Sequence, residues 1–354
     1  MKTKILAIVA LSSALACSTG PEPGTDRDAA PRNSLTLPGG PLKDSLATET
    51  AASVRAAFSR GAQARLSFGV YDLLEPVAVR AGTVAARAAA LGLKGVEDPA
   101  PDNHRLGFSA GELRLTVNEN SGSEFFADTA RLHRGAGVPL ERLLSDADYF
   151  AKGRAHVDRA FPAEGAQASL YPYKIRKYLN ANAAADGPVQ SEAVYQIAVA
   201  FNSMVDGLPV IGPGSKVVVH LTPDGEVIGH EANLRAVKGR RATLSGADLL
   251  SPDEAKAIAE KRMKGRGIEL EEYRLAREEL GYFRRGRNAV QGLLAPHYAY
   301  VYEPVSTSVT GRKVVELIPA IRSGPMLAAV EADESADLAR KAEARRNIAP
   351  PSVK

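Results

Sequence analysis

The chain has 354 residues, 45% of them hydrophobic and 24% charged, a balance that allows a sizeable buried core in two modest domains or one large one. Its 45 basic and 41 acidic side chains are spread along the sequence, and a net charge of +4 without a basic cluster points away from nucleic-acid binding. Cys17 is the single cysteine, so no disulfide forms within the chain and stability has to come from packing.

Lys2 and Lys4 precede an apolar run from Ile5 to Leu11 and then small residues ending in Ala14-Leu15-Ala16-Cys17, the layout of a secretory signal peptide. Residues 1–16 are also similar to a bacterial lipoprotein signal, with Cys17 as the residue that takes the lipid, although Leu15 stands two residues before the cysteine where such signals place leucine at three. The expectation is an extracytoplasmic protein, lipid-anchored to a bacterial membrane (outer membrane or cell surface), or secreted where the lipid signal is unused. No other stretch approaches the ~18 apolar residues that span a bilayer. Residues 17–45, rich in Pro, Gly, Asp and Ser, bury too little apolar surface to fold and read as a disordered tether.

An N-terminal α+β module is expected over 46–165. Two Ala- and Arg-rich helices open it, and in the second Val77, Ala81, Val84, Ala88 and Leu91 recur at the three- and four-residue spacing of one helical face, with Gly92 and Gly95 as stops. A strand pair follows, with Leu113, Leu115 and Val117 alternating before a turn at 118–123. A helix is then predicted over 145–161, capped by Ser145 or Asp146.

A second α+β module is expected over 166–325. Tyr195, Ile197, Val199, Phe201 and Val205 place one strand, and Asp206-Gly207 turns the chain. Pro209, Gly212, Pro213 and Gly214 would break a central strand, so 208–215 reads as a short edge segment and a loop. Thr222-Pro223-Asp224-Gly225 suits a type I turn followed by a left-handed Gly, a register that pairs Thr222 with Glu226 and puts Val217, Val219, Leu221 and Val227 on one face. Ser251, Pro252 and Glu254 form a capping box opening a helix with the stripe Ala255, Ile258, Ala259 and Met263. Strands are predicted at 268–277, 280–284, 297–303 and 313–321, and a charged helical tail over 326–354. The fold class is therefore α+β, antiparallel sheets each packed against one or two helices.

No set of reacting groups stands out. The loop GLPVIGPGSK (207–216) lacks a Gly-Lys-Ser/Thr ending and precedes a strand, not the helix that a phosphate loop needs. In the register that pairs Thr222 with Glu226, His220 lies opposite Ile228 and His230 opposite Val218, so both histidines face the polar side near Glu226, the only arrangement that suggests a metal-dependent enzyme of unrecognised type. Solvent-facing histidines are the plainer reading; no metal ligand set and no cofactor is assigned. Tyr298, Tyr300 and Tyr302 fall on one side of a strand and are expected to pack in a core, with a peptide-binding face as the other reading.

The strand before Asp206-Gly207, the Leu208-Pro209-Val210 segment, the Pro223-Asp224-Gly225 hairpin and the Ser251-Pro252-Asp253-Glu254-Ala255 helix start together resemble PepSY and fungalysin-thermolysin propeptide modules, over about residues 194–264. The resemblance implies PepSY/cystatin-like modules without catalytic residues, acting as inhibitors, chaperones or regulators of a protein or peptide partner. With no peptidase sequence after residue 330, the implied role is in trans, as a non-enzymatic envelope lipoprotein or a structural component of an envelope assembly. Leu208, Pro209, Val210, Ile211, Gly212, Pro213 and Gly214 are the expected partner-binding edge.

Overall fold

The computed structural model describes residues 45–73, 81–93, 105–118, 120–135, 137–161, 170–183, 189–235, 237–305 and 312–346. The signal peptide, Cys17, nearly all of the tether and the last eight residues of the tail lie outside them. In chain order the elements are α1 (Ser45–Ser59), β1 (Ser67–Leu73), α2 (Ala81–Ala90), β2 (Arg105–Ala110), β3 (Leu113–Asn118), β4 (Glu124–Asp128), α3 (Asp146–Ala160), β5 (Leu170–Ala183), β6 (Val189–Val205) and β7 (Leu208–Ile211). Then come β8 (Lys216–Leu221), β9 (Val227–Ala232), β10 (Val237–Ser245), α4 (Pro252–Gly265), β11 (Tyr273–Phe283), β12 (Leu293–Leu294), β13 (Pro296–Pro304), β14 (Val314–Pro319) and α5 (Pro325–Arg346).

The result is a mixed α+β fold on a mostly antiparallel sheet. Its order is β14-β13-β11-β7-β6-β8-β9-β4-β3-β2, with β5 also on β6, and a three-stranded sheet β10-β1-β12 stands beside it. Among the described strands the pairing of β11 with β7 is parallel and the rest are antiparallel. The expected module boundary after residue 165 falls inside this framework, because β4 pairs with β9 and β1 pairs with β10. Strands from both sides of that boundary share their backbone hydrogen bonds.

Capping chemistry sets the helices where the sequence places them. Ser145 accepts from the Asp148 N–H at the start of α3, and Ser251 with Glu254 makes both bonds of a capping box on α4. α3 lays Tyr149, Phe150 and Val157, with Phe161 just past its end, on Ile197, Val199 and Phe201 of β6 and Val217, Val219 and Leu221 of β8. Gly153 permits this close approach, since a Cβ there would fall 2.5 Å from Val199 Cγ2. Tyr149 also donates its hydroxyl to the Pro223 carbonyl, tying the helix to the hairpin turn.

A second core joins α1 and α4 to β11 and β13: Ala51, Val54, Ala255, Ala259 and Met263 pack on Leu280, Tyr298, Tyr300 and Tyr302. The tyrosine row is thus core, as expected, each ring contributing about 1.5–3 kcal/mol by leaving water. Tyr298 donates to the Leu250 carbonyl at 3.0 Å and Tyr300 to the Pro252 carbonyl at 2.6 Å, so the rings also fix the start of α4.

Elsewhere the structure departs from the prediction. Strands expected at 268–277 and 280–284 are one, β11, because its central acids are partnered: Glu278 accepts from Arg55 at 2.8 Å and Glu279 pairs with Arg277 at 3.0 Å. β1, β2 and β10 occupy stretches where no strand was predicted. α5 begins at Pro325 and docks through its acids, Asp333 accepting from the Gly292 N–H at 2.8 Å and Asp337 from the Val290 N–H at 3.1 Å.

Candidate functional site

Alternation along β13 sends Tyr298, Tyr300 and Tyr302 to the helices and Ala299 and Val301 to the opposite face. There Ala299 and Val301 join Val315 and Leu317 of β14, Phe283, Arg277 and Glu279 of β11, and Ile211 of β7 as one wall of a cleft of about 560 Å³. Tyr171 and Tyr173 of β5, Asn202 of β6 and Lys216 of β8 line the other. The floor is apolar, with Ile211 and Ala299 buried against Phe283 and Leu317. The rim carries both charges: Arg277 faces Glu279, and Lys216 Nζ sits 5.0 Å from the centre of the Tyr173 ring. Asn202 donates to the Tyr171 hydroxyl at 3.1 Å and the Val210 carbonyl at 2.9 Å, while its Oδ1 is buried without a hydrogen-bond partner.

Segment 208–214 lies at this cleft but is not the exposed edge expected of it. Leu208 and Pro209 pair with Val205 and Met204 of β6, and Val210 and Ile211 pair with Tyr282 and Phe283 of β11. Each half of β7 spends its backbone groups on a different neighbour, which is why Pro209 is tolerated in the middle of the sheet. Val210 and Ile211 are buried; Pro209, Ile211, Gly212 and Pro213 reach the cleft wall. The edge nearest the cleft is β14, last in the sheet order, where Val315 is 54% exposed.

The histidines behave differently from the sequence register. The turn is as predicted, with Thr222 N–H donating to the Glu226 carbonyl at 2.8 Å and Gly225 at φ +86°. One step on, a bulge at Ile228 pairs His220 with Gly229 and Val219 with His230. The extra residue moves His230 to the core face and leaves His220 on the other, so the two are on opposite sides of the sheet. Glu226 joins neither: both its oxygens accept from Arg131 at 2.6 Å. The candidate metal ligands are therefore not brought together.

On the core face, His230 Nε2 bonds Glu124 Oε1 at 2.7 Å and its Nδ1 meets His156 Nε2 at 2.9 Å. Arg87 of α2 pairs with the same carboxylate and stacks over Phe161, 4.1 Å from the ring centre. Since the carboxylate only accepts, His230 Nε2 donates to it, and the chain of bonds ends at His156, whose Nδ1 is buried without a partner. Burial, ahead of the neighbouring His230 and Arg159, pushes His156 down to about 3. Burial alone would raise the Glu124 carboxyl, but the hydrogen bond and charge of His230, with Arg87, hold it below the usual carboxylate range.

On the opposite face, the Gln196 amide donates from Nε2 to His220 Nδ1 at 3.0 Å, which sets the His220 proton on Nε2, 3.5 Å from Glu231. Gln196 Oε1 accepts from the backbone of His133, whose ring centre lies 6.5 Å from that of His220 and 5.8 Å from Tyr178. The hydrogen bond from His220, with the charge of Arg287, holds Glu231 below the usual carboxylate range. His133, at φ +58°, and Gln196 were not singled out by sequence; only their convergence across strands reveals them.

No family model and no curated protein matches the chain. Among solved structures, an uncharacterized protein from Eubacterium rectale ATCC 33656 is similar at 10% identity and a TM-score of 0.40, over 73% of this chain and 85% of that one.

Proposed function

We propose that this protein is a non-enzymatic binding module of the PepSY or propeptide type, held at the bacterial envelope through a lipid on Cys17, which takes an extended segment of a protein or peptide partner. The observation that supports it most is the cleft: an apolar floor of Ile211, Phe283, Ala299 and Leu317 between charged rims, bordered by the last strand of the sheet. An extended segment fits that surroundings by adding backbone hydrogen bonds along β14 while alternate side chains enter the apolar floor. Lys216, Arg277 and Glu279 then favour a segment carrying charges of both signs. The role is regulatory or chaperone-like in trans.

Anisotropy titration of a synthetic library of extended peptides, alternating apolar and charged residues, tests this on the folded body. We expect selected peptides to lose at least ~10-fold in affinity against Val301→Lys, whose backbone pairing is unchanged. A library without a binder, or equal affinity for both proteins, overturns the cleft reading. Anchoring is checked separately: Cys17→Ser releases the protein from membranes, and retention there overturns the lipoprotein reading.

A further inference from the structure

The Gly212–Ser215 loop, a poor phosphate loop by sequence, is folded around a buried arginine. Arg284 is 5% exposed. Its backbone is held from both sides, its N–H donating to the Ile211 carbonyl at 3.0 Å and its carbonyl accepting from Gly214 at 3.2 Å. Gly214 leaves room for the side chain, since a Cβ there would fall 2.4 Å from Arg284 Cγ and 3.0 Å from Cδ.

Among the described residues the guanidinium then makes a single hydrogen bond, from Nη2 to the Arg235 carbonyl at 2.8 Å, and its Nε–H is buried with no partner. Ser215, at φ +62°, is in the same position. Its N–H donates to the Asn233 carbonyl at 2.9 Å and its carbonyl accepts from Ser203 at 2.9 Å, yet its Oγ is buried without a partner. Both orphans hang from the same short stretch, Ser215 on Asn233 and Arg284 on Arg235, and Arg284 lies against the residue that precedes Ser215.

Charge makes the case specific. The nearby arginines have their acids, Arg285 with Asp333 at 3.1 Å and Arg287 with Glu231, but no described carboxylate pairs with Arg284. The charge that acts on it is the like charge of Arg235; burial first and that neighbour second push Arg284 down to about 9, still cationic at neutral pH. A buried cation without a counter-ion is among the costliest arrangements in a protein interior. Water would satisfy the two donors and leave the charge standing. A phosphate would bring more acceptors than the donors on offer. A halide accepts from N–H and O–H alike, needs no further partner and cancels the charge.

We propose that the cradle formed by Arg284 Nε and Ser215 Oγ under the Gly212–Ser215 loop binds a small monovalent anion of the chloride type. The other side of this loop, at Gly212 and Pro213, lines the cleft, so the anion would brace one cleft wall whatever the cleft takes.

Crystals of the wild-type protein grown in sodium bromide test it directly: an anomalous difference peak is expected within hydrogen-bond distance of Arg284 Nε and Ser215 Oγ. In solution, replacing gluconate by chloride at constant ionic strength should raise the wild-type thermal midpoint by about 2–4 °C. Ser215→Ala should reduce that rise and Arg284→Met should abolish it. No bromide in the cradle, or the same chloride response in wild type and Arg284→Met, overturns the proposal. If Arg284→Met does not fold, the wild-type bromide map decides alone.

Discussion

His220 and His230 lie on neighbouring strands of one hairpin, yet they face opposite sides of the sheet and meet different partners. His230 is fully buried, bonded to a buried carboxylate and a second buried histidine; His220 is held by an amide and by Glu231, which is partly exposed. A single inserted residue, Ile228, makes the difference by turning β9 over relative to β8 beyond the turn. On the core face a lost partner strands a charge among fully buried groups, whereas on the other face Glu231 and its second partner Arg287 reach water.

The two faces can be set against each other experimentally. Glu124→Ala, which leaves His230 and Arg87 without their shared carboxylate, should cost about 3–5 kcal/mol in urea unfolding. Next comes the bulge: a Cβ on Gly229 would fall 2.6 Å from the Phe126 carbonyl, so Gly229→Ala should cost about 1–3 kcal/mol by pushing β4 from β9. Acidification from neutral pH should act first through the core face. The unfolded chain takes up a proton on His156 near its ordinary pKa of 6.5, whereas the folded chain resists until about 3. Stability should therefore fall as pH drops below that ordinary value, by up to ~1.4 kcal/mol per pH unit from this group. His156→Leu should flatten the slope between pH 7 and 5, and an unchanged slope would place the titration elsewhere. Glu124, held low in the folded state, adds to the loss at still lower pH, with the same sign. Smallest of all, Glu231→Ala should cost less than about 1 kcal/mol, its partner Arg287 being half exposed. Equal effects for Glu124→Ala and Glu231→Ala would dissolve the contrast.

What could be read in the sequence was local. Thr222 to Gly225 and Ser251 to Glu254 specify their turn and cap through atoms only a few residues apart, and both are present as read. The tyrosine row of β13 followed from strict alternation. The bulge at Ile228 did not, because it accommodates β4, a strand from another part of the chain, against Gly229. β1 escaped because burial of nearly all of SFGVYDL erases the alternation that marks a strand. β7 was mistaken for an edge since Pro209 and Gly212 signal broken pairing, and the pairing is indeed broken, but between two neighbours. The cleft is half legible: its Gly and Pro loop stands out in the sequence, while the rest of its lining, on β5, β11, β13 and β14, depends on sheet order. Arg284 gave no sign, since an arginine after Tyr282-Phe283 reads as the polar end of a strand.

Sheet order also carries a timetable. Among the described residues, strand 67–73 pairs with 237–245 and 293–294, and the first described helix rests on β11. An emerging chain would hold β1 and the apolar side of α1 uncovered until most of the protein had been made. Such long-range pairing slows folding and lengthens the exposure of unpaired strand. Assembly of this sheet is therefore an event of the finished chain, and a polypeptide stopped before β12 would have to keep its first strand from finding a stranger.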